Sequence, residues 1–159
     1  VVHTGVQQAS SSMEIIGNVY GMAATSSASG LQYVKFTIGN TAGGTGLDVS
    51  KMVVTYTDAT TRAKDVKYES DRDTTLIGKL TDAAAVEPYV GAWGIIEKIN
   101  ANGDTLLEPG EQFVIGVSVP TKTTTVNTPF TINLQPSVGA VFALKKTVPA
   151  AINPVNILY

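Results

Sequence analysis

Apolar and polar residues alternate along this chain with a period of two. In LQYVKFTIG (31–39), Val34, Phe36 and Ile38 interleave with Tyr33, Lys35 and Thr37. In EQFVIGVSV (111–119), Phe113, Ile115, Val117 and Val119 share one face, and in TPFTINL (128–134), Phe130, Ile132 and Leu134 alternate with Thr131 and Asn133. Successive side chains of a strand point to opposite faces, so each run predicts a half-buried antiparallel strand. MEIIGNVYG (13–21), SKMVVTYT (50–57), AKDVKYES (63–70), YVGAWGIIEKI (89–99) and VGAVFALKKTV (138–148) are further strand candidates. Between them SSASG (26–30), NTAGGTG (40–46), TDATTR (57–62) and QPSVG (135–139) supply the residues that reverse a chain. About eight short strands and no long amphipathic helix predict an all-β fold, an immunoglobulin-like β-sandwich of antiparallel strands. Helix signals are brief: LTDAAAVEP (80–88) stops at Pro88, and VVHTGVQQASSS (1–12) reads as a helix end running into a Ser-rich link. The expected organisation is a helix remnant and link over 1–12 and a sandwich over 13–159.

Composition narrows the chemistry. The chain has 159 residues, of which 43% are hydrophobic and 15% charged, so Thr, Ser, Asn and Gly must cover much of its surface. Its 20 Thr are β-branched and hydroxylated, which suits a pleated surface half in water. A formal net charge of −2 offers no attraction to nucleic acid or anionic lipid. The absence of Cys excludes disulfides, thiolate metal sites and a Cys nucleophile. One histidine, His3, gives a Ser-His pair or a His-rich zinc site nothing to build on. No stretch approaches the roughly 18 apolar residues that span a bilayer.

Three stretches carry a likeness to a known family. VVHTGVQQASSS (1–12) resembles the end of a long N-terminal helix, WGIIEKINANGDTLLEPGEQFVI (93–115) resembles a segment of Trp, an NGD-like turn, LLEPGE and a buried strand, and NPVNILY (153–159) resembles a short closing strand. Together, in this order, they are similar to the archaellins, the archaeal flagellins. The resemblance implies a structural, non-enzymatic subunit of the extracellular archaellum filament, serving swimming and adhesion. It implies that 1–12 ends a filament-core helix whose apolar part precedes Val1, with the sandwich as outer sheath. Partners would be copies of the chain or paralogous archaellins, with surface-layer or accessory archaellum proteins as further candidates. No nucleic acid is implied, and membrane contact only through the N-terminal helix before assembly. A cell-surface binding module, either an accessory protein anchored to the surface layer or a carbohydrate-binding adhesin, is the alternative. No N-x-S/T glycan acceptor occurs in the chain.

The turn INANGDTLLEPGE (99–111) is the candidate site. Counted from Asn100, oxygen-bearing side chains stand at positions 1, 3, 5 and 12, namely Asn100, Asn102, Asp104 and Glu111, with Glu108 and the Leu106 carbonyl between them. The spacing echoes an EF-hand loop, although Gly103 stands at position 4 and the flanks read as strands. One reading is a plain turn, with Asn102-Gly103-Asp104 in left-handed dihedrals and Leu106-Leu107 tucked into the core. The other is a structural divalent cation, calcium or else magnesium, with Asp58, Asp71 or Asp73 lending further oxygens. The resemblance favours the cation.

Other features have simpler readings. Trp93 between Gly91 and Gly94 is expected in the core, and Lys145 with Lys146 fits an edge strand guarded by charge. Glu69, Asp71 and Asp73 could suggest paired carboxylates for glycoside cleavage, but acids this close along one segment more often form a wet edge. TKTTT (121–125) reads as solvated loop or a place for O-linked sugar.

Overall fold

The computed structural model describes residues 13–24, 28–41, 45–61, 64–69 and 91–159. Within them run β1 (Met13–Met22), β2 (Tyr33–Asn40), β3 (Leu47–Asp48), β4 (Val53–Asp58), β5 (Lys64–Tyr68), β6 (Ala92–Ile99), β7 (Leu106–Leu107), β8 (Gln112–Ser118), β9 (Pro129–Gln135), β10 (Phe142–Thr147) and β11 (Val155–Leu158), with one 3-10 turn at Val49–Lys51. Nine strands form one sheet, ordered β10-β9-β4-β5-β6-β8-β2-β1-β11, while β3 and β7 make a separate short ladder. The described pairings are antiparallel except β5 against β6, which is parallel and rests on Lys67↔Ala92 and Tyr68↔Trp93.

That short parallel contact divides the sheet into two wings, and both feed one core. Val54, Tyr56, Phe130, Ile132 and Leu134 enter it from one wing, and Val34, Phe36, Ile38, Ile95, Phe113, Ile115 and Val117 from the other. Alternation explains why: Val34, Phe36 and Ile38 on β2 and Phe130, Ile132 and Leu134 on β9 are buried, while Tyr33, Lys35, Thr37, Thr131 and Asn133 between them are half-buried. Trp93 sits at the joint, 1% exposed, with its ring centroid 4.9 Å from that of Tyr68. Its expected place in the core is met. β8 lies between β6 and β2 and is buried along almost its whole length, so Val114 is covered as well as the predicted face.

Two irregularities interrupt the wing that carries β1 and β6. Between Ile16 and Tyr20 the register of β1 slips against β2, and Gly17 takes φ 73 there, a conformation that glycine adopts without a Cβ penalty. A second slip lies between Ile95 and Glu97 on β6, after which Lys98 stands opposite Phe113. It re-aims Lys98 toward the loop that follows.

The all-β expectation holds, with differences of detail. The segment expected from 138 begins as a strand only at Phe142, and the one expected from 50 begins at Val53 because Val49–Lys51 coil first. Asp48 causes that coil: its carboxylate accepts the Ser50 N–H (3.1 Å) and Ser50 hydroxyl (2.6 Å), an N-cap. The expected helix end over 1–12 with His3, the helical turn over 80–88, and Asp71 and Asp73 lie outside the described residues.

Candidate functional site

The loop between β6 and β8 is assembled mainly by its own side chains. Asn100, Gly103 and Gly110 take φ of 52, 92 and 89, positions where Gly and Asn are tolerated. Glu111 is 7% exposed and divides its carboxylate between two backbone donors: the Asn102 N–H reaches Oε2 (3.0 Å) and the Glu108 N–H reaches Oε1 (2.8 Å). Its own N–H donates to the Glu108 carbonyl (3.0 Å). The Asn102 amide donates to Glu108 Oε2 (3.2 Å), and Asn102 Oδ1 accepts the Asp104 N–H at 3.4 Å. Asp104 Oδ1 accepts the Leu106 N–H (3.1 Å). Lys98, its ammonium 5.6 Å from the Phe113 ring centroid, donates to the Gly103 carbonyl (2.8 Å).

A second segment anchors this loop. Leu47 pairs with Leu107 and Asp48 with Leu106, and the Val49 N–H donates to the Thr105 carbonyl (2.9 Å). Asp48 Oδ1 also accepts the Thr105 hydroxyl (3.0 Å), so one carboxylate caps the 3-10 turn and clamps the loop. The hydrogen bond from the Ser50 hydroxyl is the largest influence on Asp48 and, with its other donors, holds its pKa below the usual carboxylate value. Asn40 donates to the Thr45 carbonyl (2.7 Å) and the Leu107 carbonyl (2.9 Å), leaving its buried Oδ1 without a hydrogen-bond partner.

Of the predicted ligand set, then, the structure gathers Asn102, Glu108 and Glu111 by direct hydrogen bonds, with Asp104 bound to Asn102 and Leu106. Asn100 contributes a left-handed corner. Calcium takes six to eight oxygens, and in this structure side-chain oxygens of Asn102, Asp104 and Glu111 are engaged by the loop's own N–H groups. Both Glu111 oxygens are engaged by N–H groups, and the described residues hold no group of three or more His, Cys, Asp or Glu side chains placed to hold a metal ion. Asp58, expected as a distant contributor, is engaged elsewhere. Asp48, which does meet the loop, lies 57 positions from Thr105, a separation that leaves no local trace in the sequence.

Asp58 belongs to a network with the TKTTT segment. Its carboxylate accepts the Thr60 N–H (2.9 Å), the Thr61 N–H and the Tyr56 hydroxyl (2.8 Å). The Tyr56 hydroxyl lies 2.6 Å from that of Thr124, which donates to the Pro120 carbonyl (2.7 Å). Burial opposes the charge of Asp58, but hydrogen bonds from Thr123, Thr61, Tyr56 and Thr60 outweigh it and hold its pKa down at about 2. Burial pushes the Tyr56 phenol well above its usual range. Thr121 and Thr124 are buried, so this segment is packed structure at those positions and not solvated loop.

The sheet ends in two unlike edges. On β10, Lys145 is exposed and Lys146 half-buried. On β11, Asn156 and Leu158 turn inward while Val155, Ile157 and the following Tyr159 are 54%, 42% and 87% exposed. Opposite them on β1 stand Met22 (with Val155) and Tyr20 (with Ile157), both half-buried, which carry the apolar face onto the next strand. Asn156 fixes the strand by donating to the Gly21 carbonyl (3.0 Å) and Asn153 carbonyl (2.7 Å) and accepting the Asn153 N–H (2.8 Å). The edges meet where the Thr147 N–H donates to the Tyr159 carbonyl (3.2 Å), beside a groove of about 490 Å³ lined by Ile15, Val19, Phe142, Lys146 and Leu158.

Comparison with known proteins sets these features in context. A family model described as archaeal-type flagellin matches residues 1–145. The chain is 29% identical over 162 residues to "Probable flagellin 1" of Archaeoglobus fulgidus, covering 99% of this chain and 75% of that protein. Among solved structures it is similar to the crystal structure of archaeal flagellin FlaB1 from Methanocaldococcus jannaschii, with TM-score 0.67 and 18% identity over 92% of this chain and 95% of that one. It is also similar to the archaeal flagellum of Methanospirillum hungatei strain JF1, with TM-score 0.63 and 16% identity over 99% of this chain and 77% of that one.

Proposed function

The chain belongs to the archaeal-type flagellin family, and on that premise we propose that it is a structural subunit of the archaellum filament, its two wings closed as a sandwich in the outer sheath. No catalytic role is part of this reading. The segment 1–12 is proposed as the end of the helix that joins the filament core. One observation carries the placement of a sheath contact: the outward side chains of β11, Val155 and Ile157, and the following Tyr159 are apolar and exposed. Burying a large apolar side chain contributes roughly 1.5–3 kcal/mol, so Val155, Ile157 and Tyr159 together would favour a neighbour over water. The contact would be heterologous, β11 of one copy meeting a different surface of the next, because such contacts repeat without closing. The test is self-association followed by sedimentation as concentration rises. Ile157→Lys is expected to abolish or sharply weaken it, and unchanged association would remove β11 from the interface. The alternative of a cell-surface binding module has no comparable feature among the described residues.

A cation in the 100–111 loop is a second, subordinate proposal. Binding would require Asp104, now capping Leu106, to join Glu108 and Glu111. Its effect would be to stabilise the folded form by mass action. Calcium is then expected to raise the Tm; identical melting with and without a chelator would dispose of the ion.

A further inference from the structure

Asn102 is the one asparagine in the chain followed by glycine. Both residues are exposed, and Gly103 carries no side chain to crowd the approach of its backbone nitrogen to the Asn102 side chain; a Cβ built there would meet nothing within 4 Å, so the tip of the turn stands clear of its neighbours. The Asp104 N–H points at Asn102 Oδ1 from 3.4 Å. That oxygen gains charge when a nucleophile adds to the side-chain carbonyl, and a donor already aimed at it stabilises the addition. We propose that Asn102 is a site of spontaneous modification, deamidation through a cyclic imide, and that the loop is built so that this change loosens it.

The Gly103 nitrogen loses its proton to solvent and forms a bond to Asn102 Cγ; the bond from Cγ to Nδ2 breaks, and ammonia leaves. Water then opens the five-membered imide at either carbonyl, giving Asp or its isoaspartyl isomer. Nothing is oxidised or reduced. The product places a carboxylate where the amide donated to Glu108 Oε2 at 3.2 Å, replacing an attraction with like charges. The isoaspartyl form also lengthens the backbone and displaces the Asn102 N–H from Glu111 Oε2. The aspartyl form thus loses the bond to Glu108, and the isoaspartyl form loses both bonds that tie the tip to its closing glutamates.

This inference is independent of the filament reading. The experiment is peptide mass mapping of the purified chain aged in warm, mildly alkaline buffer, alongside Asn102→Gln, whose longer side chain closes a ring far more slowly. The expected result is the mass gain of an NH2-to-OH exchange at Asn102, ahead of Asn100 and every other asparagine, and its absence at position 102 of Asn102→Gln. An intact Asn102 amide while other asparagines convert would overturn the site. Asn102→Asp, made directly, is expected to melt about 2–4 °C lower, with the deficit shrinking as salt rises. An unchanged Tm would overturn the coupling to the turn.

Discussion

β10 and β11 terminate the same nine-stranded sheet, yet Lys145 and Lys146 stand on one, while Val155, Ile157 and Tyr159 stand out from the other. An open edge invites pairing with another chain, and proteins that must stay apart protect such edges with charge. β10 is protected in this way. β11 is not, although its inward residues Asn156 and Leu158 are buried and Asn156 is bonded to the Gly21 carbonyl. A strand well anchored on one face and left apolar on the other is suited to contact with a neighbour. Alternation along four residues lets one segment hold the fold and offer a surface.

The strongest way to break this comparison is to attack the inward face. Leu158→Ala should cost about 2–5 kcal/mol of stability, the range for emptying a buried leucine site, measured by denaturant unfolding. Asn156→Ala should follow at about 1–3 kcal/mol, because the Gly21 and Asn153 backbone groups lose their partner. Outward substitutions should separate fold from assembly. Ile157→Lys is expected to leave stability within about 0.5 kcal/mol while suppressing self-association, whereas Lys145→Val with Lys146→Val should increase non-specific aggregation seen by light scattering. An Ile157→Lys chain that unfolds would show that the outer face also serves the fold.

A smaller effect sharpens the β10 side, where Asp58 lies in a shallow groove with Lys145 and Lys146. Its folded pKa of about 2 is below the ordinary value of 3.8. Its contribution is therefore fully present above about pH 4 and lost as the pH falls toward 2. Acid unfolding curves of Asp58→Asn should show a shallower slope in that window than the parent chain.

Much of this was legible in the sequence where the controlling interactions are local and periodic. Val34, Phe36 and Ile38 on β2, and Phe130, Ile132 and Leu134 on β9, announce their inward faces by alternation alone, and all six are buried. Lys145 and Lys146 announce a guarded edge. The two-residue ladder of β3 and β7 is too short for any period to register. At the loop, the residue types are legible in the sequence, but the hydrogen-bond partner of each is not. Asn102, Glu108 and Glu111 do converge, yet Glu111 closes the turn by accepting two backbone N–H groups. The clamp by Asp48 depends on tertiary pairing with Leu106 and Thr105, which no spacing within the loop encodes. The run of threonines around Thr124 reads as solvated loop, but Thr124 is buried against Tyr56.

Because the chain contains no cysteine, a single thiol can report on either edge without background. The most direct test introduces Ile157→Cys in one chain and Lys145→Cys in another, and compares maleimide labelling of assembled filaments with that of dissociated subunits. The proposed interface predicts that position 157 reacts in free subunits and is protected in filaments, while position 145 reacts in both. Equal labelling of position 157 in the two states would contradict it.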